Sequence, residues 1–211
     1  MPDSFEPIEL FIRNARQVSA AVGRFASAAE AISSAVDRCS LKEACTLLPS
    51  GCEADLSDKA RDLCDAKPGR HIVAAPGLKG NEKKQVGESC LKHGIRTVFQ
   101  GLRQHLGGID MAITRADFGI AETGTLVINS TDEDLRLATM VSEIHAVLLE
   151  TDSIVNSADD IREELKAWME SRDNYTAFIT GASRTADIER VLATGVHGPL
   201  ELYILLIGDD L

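Results

Sequence analysis

The sequence of 211 residues lacks both a long hydrophobic run and the pattern of a cleavable leader. No stretch approaches the roughly 18 consecutive apolar residues that a membrane-spanning helix needs, and the N-terminus MPDSFEPIEL has no basic segment followed by an apolar one. With 44% apolar residues, the chain can still bury a substantial core. We therefore expect a globular, cytoplasmic protein without a membrane span.

Glycine-rich signatures of cofactor binding and of hydrolysis are missing too. The sequence contains no Gly-x-Gly-x-x-Gly after a predicted strand, no Walker loop ending in Gly-Lys, and no Gly-x-Ser-x-Gly elbow. This argues against a dinucleotide-binding fold, a phosphate-loop nucleotidase and an α/β-hydrolase. The sequence therefore names no cofactor for this chain.

The five cysteines form no recognisable metal-binding pattern. None belongs to a Cys-x-x-Cys pair, and no histidine lies nearby at zinc spacing. Four of them fall within 26 residues, but their gaps do not match the tight runs that hold an iron–sulfur cluster: Cys39, Cys45, Cys52 and Cys64. We predict no metal site and reduced, buried thiols, and the role of these four cysteines stays open.

Negative charge is concentrated in the last part of the chain. Residues 131–211 carry 6 basic and 17 acidic side chains, whereas residues 1–130 carry 16 of each. An acidic surface repels a phosphate backbone and favours solubility. Nucleic-acid binding is therefore not expected.

The N-terminal segment has the clearest periodicity. Apolar residues from Phe11 to Val36 follow one another in steps of three and four, which predicts one helix about seven turns and about 40 Å long. Two interpretations remain open: the helix wraps the body of its own chain, or it docks a second copy in a homo-oligomer. Shorter helices are predicted at 41–48 and 56–64, and we assign residues 1–68 to an N-terminal helical segment.

From residue 71 onward, short apolar runs alternate with amphipathic helices. Strands are predicted at 71–75, 95–99, 109–114, 125–129, 144–149, 177–180 and 202–207, and helices at 82–92, 135–140, 160–172 and 185–193. This alternation predicts an α/β fold with a largely parallel central sheet flanked by helices, over residues 69–211 and continuous with the N-terminal extension. Ligands of such sheets bind beyond the carboxyl ends of the strands, so candidate site residues are expected in the loops there.

The first candidate site is the turn of Gly181, Ser183, Arg184 and Thr185. Here a predicted strand ends and a predicted helix begins, and helix N-termini bind anions. The arginine fork suits a carboxylate or a phosphate. The alternative is an ordinary helix cap with an exposed arginine.

The second candidate is Glu122 with Thr123, Gly124 and Thr125, a turn between two apolar runs. A carboxylate at such a turn can act as a general base or as a nucleophile toward an acyl group. The alternative is a structural ion pair with Arg115 or Arg136.

Two histidines complete the candidates. His197 lies in Gly-Val-His-Gly-Pro, residues 195–199, where an imidazole can titrate near neutrality or simply bond the backbone. His145 lies inside a predicted central strand, so we interpret it as a satisfied interior residue.

Three segments in this order resemble the signature of LUD-domain proteins, the lactate utilisation protein C (LutC/YkgG) group. They are residues 116–127 continued by 135–139 and His145, then 183–189, then 195–199. The resemblance covers about residues 71–211. It departs from the family pattern at Ala182, where proline is usual, and at 130–136, where three acids replace a Gly-Asn-x-Arg turn that leads to Arg136.

The resemblance implies a fold like that of ribose-phosphate isomerases and CoA transferases, and a role in oxidising L-lactate to pyruvate beside two iron–sulfur partner subunits. This chain resembles the cluster-free component, with clusters expected in the partners. By analogy with CoA transferases, Glu122 is a candidate nucleophile. The alternatives are a free-standing enzyme acting on an anionic acyl, CoA or sugar-phosphate substrate, and a ligand-binding module without turnover, so enzymatic activity stays open.

Overall fold

The computed structural model describes residues 6–44, 58, 70–105, 108–170, 174–185, 193–194 and 198–208. Its helices are α1 (Pro7–Gln17), α2 (Ala28–Ser40), α3 (Gly80–Lys92), α4 (Glu133–Val141) and α5 (Arg162–Met169). Its strands are β1 (Ala20–Phe25), β2 (Ile72–Ala74), β3 (Arg96–Val98), β4 (Ile109–Arg115), β5 (Phe118–Ile120), β6 (Thr125–Ser130), β7 (Ser142–Glu150), β8 (Ile154–Val155), β9 (Tyr175–Ile179), β10 (Arg184–Thr185), β11 (Ala193–Thr194) and β12 (Glu201–Ile207).

The main sheet has six strands in the order β1-β12-β7-β4-β2-β3, and every neighbouring pair is parallel. Its central strands are apolar on both faces because both faces are covered. Helices α2 and α3 cover one face, while α1 and α4 lie on the other. The predicted α/β architecture with a parallel central sheet is confirmed, and its finer likeness to ribose-phosphate isomerases and CoA transferases stays a prediction.

A second sheet, in the order β8-β5-β6-β9, packs against the same face as α1. The pairs β5–β6 and β6–β9 are antiparallel. The segments 125–129 and 177–180 are strands as predicted, but they belong to this sheet and not to the central one. Hydrophobic runs identify a strand without identifying its partner, so the separate sheet had no signal in the sequence.

The prediction of one long N-terminal helix is wrong. Strand β1 interrupts it and pairs in parallel with β12 over six residues. Ser19 takes a left-handed backbone with φ 66° at the break, and the Ser27 hydroxyl caps the start of α2 by accepting from the Glu30 amide. Val22 and Gly23 are poor helix formers, and hydrogen bonds along the edge of β12 outweigh the helical spacing.

Helices α1 and α2 bury their apolar sides against their own chain, with Phe11 and Ile32 fully covered. The N-terminal segment therefore packs on the body of its own chain, as the first of the two interpretations predicts, but as two helices separated by a strand. Homo-oligomer formation through this segment stays a prediction, as does a domain boundary near residue 68.

The helix predicted at 185–193 is wrong at both ends. Thr185 and Ala193 pair with each other in the short antiparallel ladder of β10 and β11, and residues 186–192 lie outside the described ranges. The helix predicted at 41–48 is wrong over residues 41–44, which are not helical, and its remainder lies outside the described ranges. Most of the helix predicted at 56–64 and the cysteines Cys45, Cys52 and Cys64 also lie outside them. None of the helices within the described ranges has the length and apolar character that crossing a bilayer requires.

Candidate functional site

The residues that follow β9, Gly181 to Ser183, and those that precede β12, Gly198 to Leu200, lie with the turn after β5 around the C-terminal end of α1. Gly124 lies against the backbone of Ala15, because a Cβ built there would fall 2.2 Å from the Ala15 nitrogen. Gly181 lies equally close to Val18, with 2.2 Å from a built Cβ to its carbonyl oxygen. The Ser183 amide donates to the Pro199 carbonyl at 3.0 Å. Segments far apart in sequence therefore form one cluster.

Helix α1 fixes the turn that holds Glu122. The amide of Asn14 donates from Nδ2 to the carbonyls of Ala121, at 2.8 Å, and Glu122, at 3.0 Å. The Gly124 amide closes the turn onto Ile120 at 2.9 Å, with Gly124 at φ +66°. Glycine is required here for its backbone conformation and for the close approach of α1.

Three threonine hydroxyls connect this turn to the end of β9. The Oγ1 atoms of Thr123 and Thr125 are 2.7 Å apart, and those of Thr125 and Thr180 are 2.7 Å apart. Thr125 is buried, while Thr123 is exposed. The predicted ligand-binding residues Thr123, Gly124 and Thr125 therefore lie next to Gly181, and the chain of hydroxyls ends at the surface beside Glu122.

The Glu122 side chain is exposed, whereas its backbone is held on both sides. Its amide donates to the Asn156 carbonyl at 3.0 Å, and its carbonyl accepts from Asn14. Arg115, one of the two ion-pair partners predicted for Glu122, pairs with Glu82 and Glu150 instead. Arg136 lies over the Tyr175 ring, 5.9 Å from its centroid. Within the described residues the Glu122 carboxylate has no ion pair. The interpretation that Glu122 holds the loop by pairing with Arg115 or Arg136 is therefore wrong.

Glu122→Gln should therefore leave the free energy of unfolding within about 0.5 kcal/mol of the wild type, because no charge pair is lost. The matched variant Glu82→Gln weakens the partly buried Arg115 cluster and should cost about 1 kcal/mol. Urea unfolding of both variants measures the difference. A larger cost for Glu122→Gln would contradict an unpaired carboxylate.

The structure describes the other predicted site residues only in part. Arg184 and Thr185 contribute the backbone of β10, and Ser183 is half-buried in the cluster. His197 lies outside the described ranges. The catalytic role predicted for His197 and the anion-binding roles predicted for Arg136, Arg184 and Thr185 stay predictions.

The cluster does not lie at the carboxyl edge of the main sheet, where we had expected a site. Gly198 to Leu200 precede β12, and the Leu200 amide donates to the Glu143 carbonyl at the start of β7, at 2.8 Å. Ser19 likewise precedes β1. The cluster therefore lies at the amino ends of these strands, because its loops come largely from the second sheet.

His145 is the interior residue that we predicted. It lies within β7, is 1% exposed, and its Nε2 is 2.8 Å from the Thr114 hydroxyl oxygen. Burial lowers the pKa of His145 to about 4. The ring is therefore neutral at pH 7 and enclosed in the core.

An ion-pair cluster on the same edge was missed from the sequence. The Lys42 ammonium lies 3.1 Å from an Asp110 oxygen and 3.0 Å from a Glu143 oxygen, and Asp110 is fully buried. Burial alone would lower the pKa of Lys42, but hydrogen bonds to Glu143 and Asp110 outweigh it and raise that pKa. Asp110 and Glu143 are 68 and 101 positions from Lys42. No sequence pattern links residues so far apart, so their proximity is visible only in the fold.

A cavity of about 290 Å³ opens beside the cluster, and the sequence also gave no signal for its polar residues. Ser19, Ala182 and Tyr203 contribute to its lining, together with Arg38 and Glu201. The Tyr203 hydroxyl donates to Glu201, and burial together with this carboxylate raises the pKa of Tyr203 to about 12. The Tyr203 hydroxyl therefore stays protonated and keeps its hydrogen bond to Glu201 at the cavity wall.

The comparisons with known proteins agree with the signature. The LUD domain model matches residues 8–207. An uncharacterized protein of Neisseria meningitidis serogroup B is 37% identical over 102 residues, 48% of this chain and 44% of its own. "Lactate utilization protein C" of Deinococcus radiodurans is 30% identical over 100 residues, 47% of each chain.

A solved structure of a DUF162 family protein from Deinococcus radiodurans superposes over 96% of this chain and 97% of its own, with a TM-score of 0.60 at 17% identity, which shows the fold alone. The chain spans about half the length of the curated relatives it matches. The family model nevertheless covers nearly the whole sequence, including α1 and β1, which lie outside the signature. The chain belongs to the LUD domain family.

Proposed function

We propose that this chain is a component of a cytoplasmic L-lactate utilisation system that oxidises lactate to pyruvate. The observation that carries the proposal is the LUD domain match over residues 8–207, together with curated relatives named lactate utilization protein C in several bacteria. The convergence of segments 122–125, 180–183 and 198–200 at one surface supports it, because these segments carry several of the candidate site residues that the signature contains.

The same proposal assigns the redox centres to iron–sulfur partner proteins and makes this chain the cluster-free subunit. Cys39 and Cys90 are buried in the core between the main sheet and its helices. Burial raises the pKa of the Cys90 thiol, whereas a metal ligand must be a thiolate. Among the described residues, no three His, Cys, Asp or Glu side chains are grouped as a metal site. Lactate oxidation releases two electrons, so a partner must accept them.

Deletion of the gene tests the role directly. We expect loss of growth on L-lactate as sole carbon source, unchanged growth on pyruvate, and rescue by a plasmid copy. A tagged copy purified from the rescued strain should bring down proteins that contain iron–sulfur clusters. Normal growth of the deletion strain on L-lactate would refute the role, whereas a lone tagged protein in a strain that needs it would refute the partners.

A second candidate function is favoured by the free carboxylate of Glu122. In this alternative the chain is a free-standing enzyme in which Glu122 attacks an acyl-CoA as nucleophile, or acts as base on another anionic substrate. Incubation with acyl-CoA compounds followed by hydroxylamine should then convert Glu122 to a hydroxamate that mass spectrometry detects. Absence of this adduct, with Glu122→Gln as the blank, would remove the covalent version.

A further inference from the structure

We propose that the cavity between α2 and the start of β12 binds a small carboxylate that carries an adjacent hydroxyl group, with Arg38 holding the carboxylate and Glu201 accepting from the hydroxyl. The assignment deepens the proposed function, on which the choice of L-lactate as probe rests. It adds two residues that lie outside the signature segments.

The cavity combines a charged wall with an apolar one. Arg38, Glu201 and Tyr203 supply the polar groups, whereas Ala21 and Leu202 supply apolar surface. Its volume of about 290 Å³ is near the lower limit of known ligand pockets. The occupant is therefore small, with few non-hydrogen atoms.

Arg38 is held in place by the Tyr203 ring and by a long ion pair with Glu201 that makes no hydrogen bond. Its guanidinium carbon lies 4.1 Å from the centroid of the Tyr203 ring, a stacked geometry that fixes the plane of the group. Its closest nitrogen lies 3.9 Å from Glu201, which is longer than a hydrogen bond. The planar fork is thus oriented and able to grip a carboxylate with two parallel hydrogen bonds.

Glu201 is oriented by Tyr203 in a complementary way. The Tyr203 hydroxyl donates to Oε2 of Glu201, and a carboxylate has lone pairs for further donors on its second oxygen. The side chain is about half exposed, so a ligand can reach it. An acceptor beside a cation matches a molecule with a hydroxyl donor beside its carboxylate.

The negative charge of Glu201 also decides which anions are excluded. Any anion on Arg38 faces this carboxylate, and juxtaposed like charges oppose binding. The repulsion is stronger for a phosphate dianion than for a ligand with a single carboxylate. A carboxylate without a hydroxyl would bind Arg38 but leave Glu201 without the extra donor. The pair therefore favours hydroxycarboxylates over both classes.

The cavity is joined to the signature segments through two lining residues. Ala182 lies between Gly181 and Ser183 in the segment that packs on Val18. Ser19, with φ 66°, is the positive-φ residue other than glycine among the described residues, and such strained positions concentrate at functional sites. One wall of the cavity is therefore formed where the residues after α1 pack against Gly181 and Ala182.

The test is a titration of the purified protein with L-lactate, propionate and inorganic phosphate, followed by NMR or calorimetry. Propionate has the same carbon skeleton as L-lactate without the hydroxyl. We expect the wild type to bind L-lactate most tightly, propionate about tenfold more weakly, and phosphate least. Arg38→Gln should weaken L-lactate binding by about tenfold or more.

Two further variants sharpen the result. Glu201→Gln keeps the shape of the side chain but removes its charge. It should therefore raise the affinity for phosphate and reduce the ratio of L-lactate affinity to phosphate affinity. Arg162→Gln is the matched control, because Arg162, the first residue of α5, is 60% exposed like Arg38 and pairs with Asp159, and neither residue lines the cavity. It should bind all three anions as the wild type does.

Unsaturable L-lactate binding to the wild type, or equal affinity in Arg38→Gln, would overturn the site. The genetic test separates this failure from failure of the proposed function. If the deletion strain needs the gene on L-lactate but the protein binds none, the site is wrong and the role stands. If the protein binds L-lactate through Arg38 and the deletion strain grows normally, the site stands and the role is wrong.

Discussion

Gly124→Ala is expected to be among the most destabilising substitutions in this protein, with a cost of about 3 kcal/mol or more in the free energy of unfolding. A Cβ at this position would fall 2.2 Å from the Ala15 nitrogen and 2.6 Å from its Cα. These are backbone atoms of α1, which cannot turn aside as a flexible side chain can. Relief requires α1 to move, and that movement breaks the bonds from Asn14 to the turn.

Gly94→Ala is the matched control for this prediction. Gly94 has φ +67°, against +66° at Gly124, but no atom lies within 4 Å of its built Cβ. Its substitution should therefore cost only about 1 kcal/mol, the usual strain of a left-handed residue with a side chain. Thermal or urea unfolding of both variants measures the contrast. Equal costs would show that backbone strain alone matters and that α1 is not held closely against the turn.

Acid should destabilise the fold through His145 by about 3 kcal/mol. The pKa of this ring is about 4 in the folded chain and about 6.5 in an unfolded one. The unfolded state therefore binds more protons between these values, so stability is complete above about pH 6.5 and falls as the pH drops toward 4. The gap of about 2.5 pH units, at ~1.4 kcal/mol each, gives the expected loss.

The pH dependence of the His145→Asn variant isolates this contribution. Its absolute stability will differ because the bond to Thr114 changes, so the slope between pH 6.5 and 4 is the quantity to compare, and it should be shallower than in the wild type. His93→Asn, which removes a half-exposed ring paired with Asp37, should keep the steep slope. Parallel slopes for wild type and His145→Asn, or an NMR titration of His145 near pH 6.5, would contradict the prediction.

Strands β4, β7 and β12 could be predicted from the sequence because central parallel strands are buried on both faces. Their apolar runs are therefore almost unbroken, as in the residues from Leu202 to Ile207. Strand β1 could not, because it lies at the edge of the sheet and Arg24 is exposed. A half-covered strand with an apolar residue every three or four positions is indistinguishable from an amphipathic helix by spacing alone.

The residues of the candidate site could likewise be predicted only in part from the sequence. Gly124 and Gly181 were identified through local signatures, and their function as contact points for α1 required the structure. Arg38 and Glu201 are separated by more than 160 positions, and each resembles an ordinary surface residue in sequence. Proximity of this kind is a property of the strand order, in which β1 and β12 are neighbours.

The pairing of β1 with β12 has a consequence for synthesis of the chain. Among the described strands, β12 is the partner that β1 hydrogen-bonds, and more than 170 residues separate the two. At translation rates of about 5–20 residues per second, β1 waits roughly 10 to 40 s on the ribosome before its partner emerges. During that time its backbone edge is a template for foreign strands, and a chain stopped before residue 201 never acquires the partner. Premature termination should therefore yield an aggregation-prone fragment rather than a shortened, folded protein.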